Sequence, residues 1–242
     1  MIDRKVAVVL AGGKGTRLAP FTAVFPKPLV PVGEIPIVEI LTRQLFRAGF
    51  KELVLSVGHL AQLIRAYFHQ HPLLAEGLQV SFVEEKEPLG TAGSLALVQD
   101  LPESFLVLNG DVLTDLDFAS FFETHRASLA TLSVATKIRS VQLQLGVIDR
   151  IGGVLTGYRE KPSHGYEVSM GVYGYTSRAL GFIGLRERLD FPDLVLRLLA
   201  AGERVQACPC EAEWLDIGNP DDYARAQDLF TARPQQYLGP TA

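Results

Sequence analysis

The apolar positions of this 242-residue chain change period along its length, and the change divides the chain in two. Val6 to Leu10 is wholly apolar, which reads as a strand buried on both faces. Pro36 to Ala48 follows the helical period. Ile37, Ile40, Leu41 and Leu45 share one stripe, a proline stands near the first turn and Gly49 supplies the stop. The same reading predicts strands at Glu52 to Val57, Leu78 to Val83 and Phe105 to Leu108, with helices at Leu60 to Phe68 and Thr91 to Val98 between them. Such a βαβα order predicts an α/β fold, a Rossmann-like, mainly parallel mixed sheet flanked by helices.

Beyond Asp111 the pattern turns strand-rich. A helix near Phe118 to Arg126 precedes strands near Leu129 to Thr136, Leu145 to Asp149, Val154 to Arg159 and Val168 to Tyr175, with Gly152-Gly153 as a hairpin turn. These elements predict a small antiparallel extension. Helix returns at about Pro192 to Ala201, strand at Arg204 to Pro209, and a final helix starts after Asn219. There Asn219 caps, Pro220 suits the first turn, and Asp221 and Asp222 complement the positive helix end. No internal repeat or low-complexity linker interrupts the chain. We therefore expect one domain over residues 1–232 and a loosely held tail over 233–242.

Composition narrows the function classes. At 48% hydrophobic and 21% charged residues, the chain can bury one large core without external staples. A formal charge of -4 argues against a general nucleic-acid or membrane-surface binder, so any phosphate partner must be met by a few local cations. The start, MIDRKVAVVL, suits a first strand better than a secretory signal, and no apolar run reaches membrane-spanning length. Cys208 and Cys210 alternate in a strand-like stretch, a spacing that suits neither a zinc pair nor a disulfide framework. A reducing, cytoplasmic setting is the simplest expectation, with both thiols as buried small hydrophobes.

Candidate chemistry concentrates at strand ends. Leu10-Ala11-Gly12-Gly13-Lys14-Gly15-Thr16-Arg17-Leu18 follows the first strand, and its glycines let backbone N–H groups close on an anion. The spacing is neither that of a Walker loop nor that of a dinucleotide fingerprint. Arg17 offers a planar cationic fork. Lys27 lies between Pro26 and Pro28, which predicts a stiff, extended setting for its charge. Asp111, in Asn109-Gly110-Asp111, directly follows a buried strand at the carboxyl end of the sheet, where open α/β folds bind ligands. Read alone, it is a metal-ligand candidate or a turn residue. Asp216, three residues before the Asn219 cap, is a second carboxylate with a local structural role as its alternative. No Ser-His-Asp or Cys-His nucleophile is evident, and His59 reads as a structural residue at a strand edge.

With these segments in view, Leu-Ala-Gly-Gly-Lys-Gly-Thr-Arg-Leu at 10–18 and Pro-Lys-Pro-Leu-Val-Pro at 26–31 resemble the signature of the sugar-1-phosphate nucleotidylyltransferases. The resemblance runs from residue 5 to about 230. It implies a nucleotide-binding half at about 1–115 and a sugar-binding half at about 116–232. It also implies that Leu10, Ala11, Gly12, Gly13, Gly15, Thr16 and Arg17 bind nucleotide phosphates, that Lys27 bridges to the sugar phosphate, and that Asp111 and Asp216 hold a catalytic magnesium ion, Mg2+. Glu85, Gly90 and Thr91, in Glu-Lys-Glu-Pro-Leu-Gly-Thr-Ala-Gly at 85–93, resemble the base-binding loop. Gly146, Glu160, Lys161 and Ser169 resemble sugar contacts, with Ser169 standing where many relatives carry asparagine.

The implied activity transfers a nucleoside monophosphate from a nucleoside triphosphate to a sugar 1-phosphate, with catalysis by Arg17, Lys27 and Asp111. A carboxylate at position 85 only accepts hydrogen bonds and guanine presents two adjacent donors, which tilts the base toward GTP. Leu55-Ser56-Val57-Gly58 and the Pro-Leu-Gly-Thr-Ala-Gly loop most resemble enzymes making GDP-activated mannose or heptose. Thymidylyl-, uridylyl- and cytidylyltransferases, an alcohol-phosphate cytidylyltransferase and a non-catalytic regulatory relative remain alternatives. The chain stops soon after the final helix, so the resemblance brings no expectation of a carboxyl-terminal β-helix. A homo-oligomer is left open; nucleic acid and membrane are not expected partners.

Overall fold

The computed structural model describes residues 4–239. In chain order its strands are β1 (Val6–Ala11), β2 (Pro31–Val32), β3 (Ile35–Pro36), β4 (Glu52–Val57), β5 (Gln79–Glu84), β6 (Ser104–Asn109), β7 (Val112–Thr114), β8 (Leu132–Gln142), β9 (Val147–Ile151), β10 (Val154–Arg159), β11 (Ser163–Thr176), β12 (Val205–Pro209) and β13 (Trp214–Asp216). The helices are α1 (Ile37–Arg47), α2 (Ala61–His69), α3 (Gly90–Gly93), α4 (Phe118–Ser128), α5 (Phe191–Ala200), α6 (Pro220–Ala232) and α7 (Pro234–Leu238).

Seven strands form the central sheet in the order β12-β8-β11-β6-β1-β4-β5. Neighbours run parallel except where β11 pairs antiparallel with β8 and β6. The expected mainly parallel, Rossmann-like mixed sheet is thus present. β1 shows why it is central. Ala7, Val9 and Ala11 enter the core beneath α1, α2, α4 and α6, while Val6 and Val8 enter the core beneath α3 and α5. A strand apolar on both faces has no place at a wet edge.

The predicted stripe of α1 is fully buried: Ile37, Ile40, Leu41 and Leu45 are each at most 1% exposed. Glu39 lies on the same helix at 3% exposure and accepts hydrogen bonds from Arg43 Nε (2.6 Å), Tyr67 Oη (3.0 Å) and His71 Nε2 (2.5 Å). Leu73 N–H donates to His71 Nδ1 at 3.3 Å, which leaves the ring hydrogen on Nε2 for the glutamate. Burial alone would raise the Glu39 carboxyl, but the bonds from His71, Arg43 and Tyr67 hold it below its ordinary value.

Three expectations are corrected. Leu129 does not open a strand: it ends α4 in the left-handed region at φ 54, 85% exposed, and β8 starts at Leu132. The expected helix from Thr91 shortens to α3, which starts at Gly90 and is followed by a 3-10 turn at Ser94–Leu97. The segment after Arg233 is not loose as far as Leu238. It turns into α7, with Tyr237 2% exposed, its ring 5.8 Å from Phe230 and its carbonyl accepting from Arg47 Nη2 at 3.1 Å. Residues 240–242 of the expected tail lie outside the described residues.

Candidate active site

Loops after β1, β4, β5 and β6 meet at the carboxyl edge of the sheet. Gly110 N donates to Leu10 O at 2.9 Å and His59 N to Gly12 O at 3.4 Å, tying the ends of β6 and β4 to the glycine loop. Gly58 and Gly12 abut so closely that a Cβ on Gly58 would stand 3.0 Å from Gly12 O. Gly15 adopts φ +61, and a Cβ there would meet Thr22 Cγ2 at 2.9 Å and Lys27 Cβ at 3.1 Å. Gly13 faces open space, and Thr16 and Arg17 are exposed as the chain enters a 3-10 turn at Thr16–Leu18. The loop is therefore built tightly at one end and left open to a ligand at the other.

Lys27 does not sit in the extended stretch that its flanking prolines predict. Extended backbone ends at Pro26, and Lys27 opens a 3-10 turn closed by Leu29 N to Pro26 O (2.8 Å) and Val30 N to Lys27 O (3.0 Å). Two backbone hydrogen bonds offset the bias that a following proline imposes. The side chain is 11% exposed and its ammonium donates to Asp111 Oδ2. Asp111 is held from the other side too. Ile217 N donates to Asp111 O at 3.1 Å, and the short antiparallel pair β7–β13 sets Val112 opposite Asp216. A Cβ on Gly218 would stand 3.6 Å from Arg17 Nη2. Arg17, Lys27, Asp111 and Asp216, far apart in sequence, thus converge on one site.

Burial and the neighbouring Asp111 charge raise the Asp216 carboxyl, against the pull of Lys27 and Arg17. Asp111 Oδ1 is buried with no hydrogen-bond partner among the described residues. Among the same residues no group of three His, Cys, Asp or Glu side chains forms a full metal cage. Magnesium does not need one, because it takes one or two carboxylates and completes its shell with substrate oxygens and water. Two adjacent carboxylates, one with an oxygen lacking any partner, fit such an ion.

Glu85 follows β5, and its carboxylate is positioned rather than solvated: Oε1 accepts from Ser56 Oγ at 3.1 Å and Oε2 from Leu89 N at 2.9 Å. Gly90, at φ +79, has its bare face filled by Leu189 O, which a Cβ would approach to 2.5 Å. Thr91 N donates to Asp190 Oδ1 (3.1 Å), Ala92 N and Gly93 N donate to Leu189 O, and Phe191 N donates to Thr91 Oγ1 (2.8 Å). The N–H groups of Thr91, Ala92 and Gly93 are therefore already used in joining α3 to the segment that leads into α5.

A cleft of about 300 Å³ opens beside Asp216, lined among others by Thr91, Asn109, Ser169, Tyr173, Phe191 and Trp214. Ser169 Oγ donates to Tyr173 Oη at 3.2 Å, and the Tyr173 and Phe191 rings stack at 4.0 Å. Of the four expected sugar contacts only Ser169 is here. Five residues of continuous strand separate it from Ser163, about 20 Å of ribbon. Lys161 and Glu160 lie just beyond Ser163, exposed, and Glu160 accepts from Tyr158 Oη at 2.8 Å. Gly146 faces the same tyrosine, with Tyr158 Oη 2.0 Å from where a Cβ would stand. The structure does not bring Gly146, Glu160 and Lys161 to the cleft.

Asn109, Tyr173, Phe191 and Trp214 were not singled out as site residues from sequence. Asn109 and Trp214 had a signal, since each stands two residues before a candidate aspartate. Phe191 had none, because only the α3–α5 contact carries it to the cleft. Of the two cysteines expected to be buried, Cys208 is buried and Cys210 half-buried; Cys210 Sγ donates to Cys208 O at 3.1 Å, and burial pushes both thiols up.

Comparison with known proteins agrees with this geometry. The family model for nucleotidyl transferases matches residues 6–233. A UTP–glucose-1-phosphate uridylyltransferase of Synechocystis is 32% identical over 91% of this chain and 62% of its own length. A mannose-1-phosphate guanyltransferase of Yarrowia lipolytica is 33% identical over 92% of this chain and 63% of its own. This chain thus spans less than two thirds of those relatives. Among solved structures, HddC of Yersinia pseudotuberculosis complexed with GMP-PN has a TM-score of 0.70 at 25% identity, covering 93% of this chain and 99% of that one. The inositol-1-phosphate CTP transferase of T. maritima shares the fold, with a TM-score of 0.74 at 19% identity over 99% of this chain and 98% of that one. A match over nearly the whole chain, with Arg17, Lys27, Asp111 and Asp216 gathered at the carboxyl edge of its sheet, places this protein in the nucleotidyl transferase family.

Proposed function

We propose that this chain transfers a nucleoside monophosphate from a nucleoside triphosphate to a sugar 1-phosphate, releasing pyrophosphate, and that its preferred pair is GTP with a mannose- or heptose-type sugar phosphate. The observation that carries the reading is the Lys27–Asp111 pair set against Asp216 beneath a glycine loop.

The nucleophile in this reaction is a phosphate oxygen that already bears charge, so no strong base is required. What the site must supply is alignment and neutralisation of charge. The N–H groups around Gly12, Gly13 and Gly15, with the exposed Arg17 fork, face the triphosphate. Lys27, anchored at the base of the loop, meets the phosphate that accepts the nucleotidyl group. Asp111 and Asp216 would hold magnesium, which when bound offsets triphosphate charge and activates the pyrophosphate as a leaving group. The cleft beside Ser169 and Asn109 takes the sugar.

Glu85 supports the guanine preference. Its position is set by Ser56 and Leu89, and a carboxylate with remaining lone pairs accepts from the two adjacent donors of guanine. The similarity to a mannose-1-phosphate guanyltransferase points the same way. The similarity to a UTP–glucose-1-phosphate uridylyltransferase favours a second reading with UTP and glucose 1-phosphate. Pyrophosphate release measured for GTP, UTP, dTTP, CTP and ATP against mannose, glucose, N-acetylglucosamine and heptose 1-phosphates, with magnesium and with chelator, decides between them. A magnesium-dependent signal confined to GTP with mannose or heptose 1-phosphate supports the proposal, and a signal confined to UTP with glucose 1-phosphate replaces it.

A further inference from the structure

β11 crosses the floor of the cleft through an irregular step. Its register against β8 is regular up to Ser169, opposite Thr136, and resumes at Tyr173, opposite Val134, so Met170, Gly171 and Val172 stand where β8 has only Ala135. Gly171 takes φ +71 at this bulge, and a Cβ there would stand 2.7 Å from Asn109 Nδ2. The bulge brings the Ser169 and Tyr173 hydroxyls within hydrogen-bonding reach of each other.

Three groups then form a directional chain. Gly171 N donates to Ser169 Oγ at 3.3 Å, and Ser169 Oγ donates its one hydrogen to Tyr173 Oη at 3.2 Å. Ser169 therefore has no hydrogen left to offer a ligand. The Tyr173 hydroxyl keeps its own hydrogen, for which the described residues supply no acceptor. Bonds of this kind in an unliganded site tighten when the ligand arrives.

The surroundings aim that hydrogen into the cleft. The Tyr173 ring is 5% exposed and stacked on Phe191, so it does not swing away. Burial raises the phenol, the bond from Ser169 pulls against it, and the charges of Asp111 and Asp216 add to it, so the group stays protonated with its hydrogen drawn toward those carboxylates. A hydroxyl that accepts one hydrogen bond is polarised to donate the next.

Resting on the reading of this cleft as the sugar pocket, we propose that Ser169 is a positioning residue: backed by Gly171 N–H, it fixes and polarises the Tyr173 O–H, which donates to the sugar 1-phosphate, while Ser169 itself does not touch the sugar. The short serine side chain is turned to the phenol, whereas the resemblance implies a direct sugar contact at this position.

A double-mutant cycle separates a residue that acts through Tyr173 from one that meets the sugar. Ser169→Ala and Tyr173→Phe each remove one oxygen and keep the stack on Phe191. With nucleotide saturating, each is expected to raise KM for the sugar 1-phosphate about tenfold, the effect of one hydrogen bond, with KM for the triphosphate unchanged. The double variant is expected to lose no more than Tyr173→Phe alone, and Ser169→Thr, which keeps the hydroxyl, to recover most of the loss. Losses that multiply in the double variant overturn the proposal, because Ser169 then contacts the sugar directly, and so does a parental KM in Ser169→Ala. A parent inactive with every sugar 1-phosphate marks the failure of the functional reading instead. The same cycle is then read by calorimetric binding of mannose 1-phosphate, and a chain that does not bind it overturns both.

Discussion

Lys27 donates to one carboxylate oxygen of Asp111, while the other, Oδ1, is buried without a hydrogen-bond partner among the described residues. One carboxylate is thus half used by the protein and half held in reserve. Lys27→Ala and Asp111→Asn are each expected to lower kcat by roughly 10²–10³-fold. A double-mutant cycle on urea unfolding should give a coupling of about 0.5–3 kcal/mol for the pair. Near-normal turnover in either variant would remove the pair from the mechanism.

Asp216 is predicted to trade stability for activity. Its raised carboxyl means that, above its folded value, the charge is less favourable in the fold than in the unfolded chain; below its ordinary 3.8 that cost is absent. Asp216→Asn should therefore melt no lower than the parent at neutral pH, while magnesium-dependent turnover falls at least about a hundredfold. A large drop in melting temperature would mark the residue as structural.

Glu85→Gln keeps an oxygen for Leu89 N–H, while the amide nitrogen in place of Oε1 only donates, so Ser56 Oγ must turn to accept and one acceptor is lost. We expect kcat/KM with GTP to fall about tenfold to a hundredfold, matching about 1.5–3 kcal/mol for a hydrogen bond to a charged acceptor. Turnover with UTP and dTTP should change far less. Equal losses with every nucleotide would show that the side chain only shapes the loop.

Glu39 predicts an acid limit to stability. Its folded value lies below its ordinary 4.5, so the stability it contributes is fully present above 4.5 and drains away as pH falls through the lower folded value. Glu39→Gln should cost about 1.5–3 kcal/mol in urea unfolding at neutral pH and flatten that acid dependence. Unchanged acid dependence in the variant would place the sensitivity elsewhere.

Much of the fold was legible because β1, β4 and α1 carry their periods without interruption, and β10 runs over its expected residues, Val154–Arg159. The long strands were harder to read. β8 and β11 extend to 11 and 14 residues because strand pairing continues where no helix covers them, and local pattern does not tell a covered strand from a bare one. At the site, Lys27, Asp111 and Asp216 could be found because each sits in a distinctive local motif. Gly90 and Thr91 show the limit: about a hundred residues later, Leu189 O fills the space beside Gly90, and Asp190 and Phe191 occupy the polar groups of Thr91. Glu160 and Lys161 were placed by motif alone, and their distance from Ser169 depends on how far the ribbon runs before it turns.

Trp214 is the only tryptophan in the chain, and it lines the cleft two residues from Asp216 with its indole N–H donating to Met170 O at 2.7 Å. The protein therefore contains its own optical probe. Excitation selective for indole reports from this one wall of the cleft with no second emitter to dilute it, so filling of the sugar pocket can be followed by intrinsic fluorescence in unlabelled protein, separately from turnover.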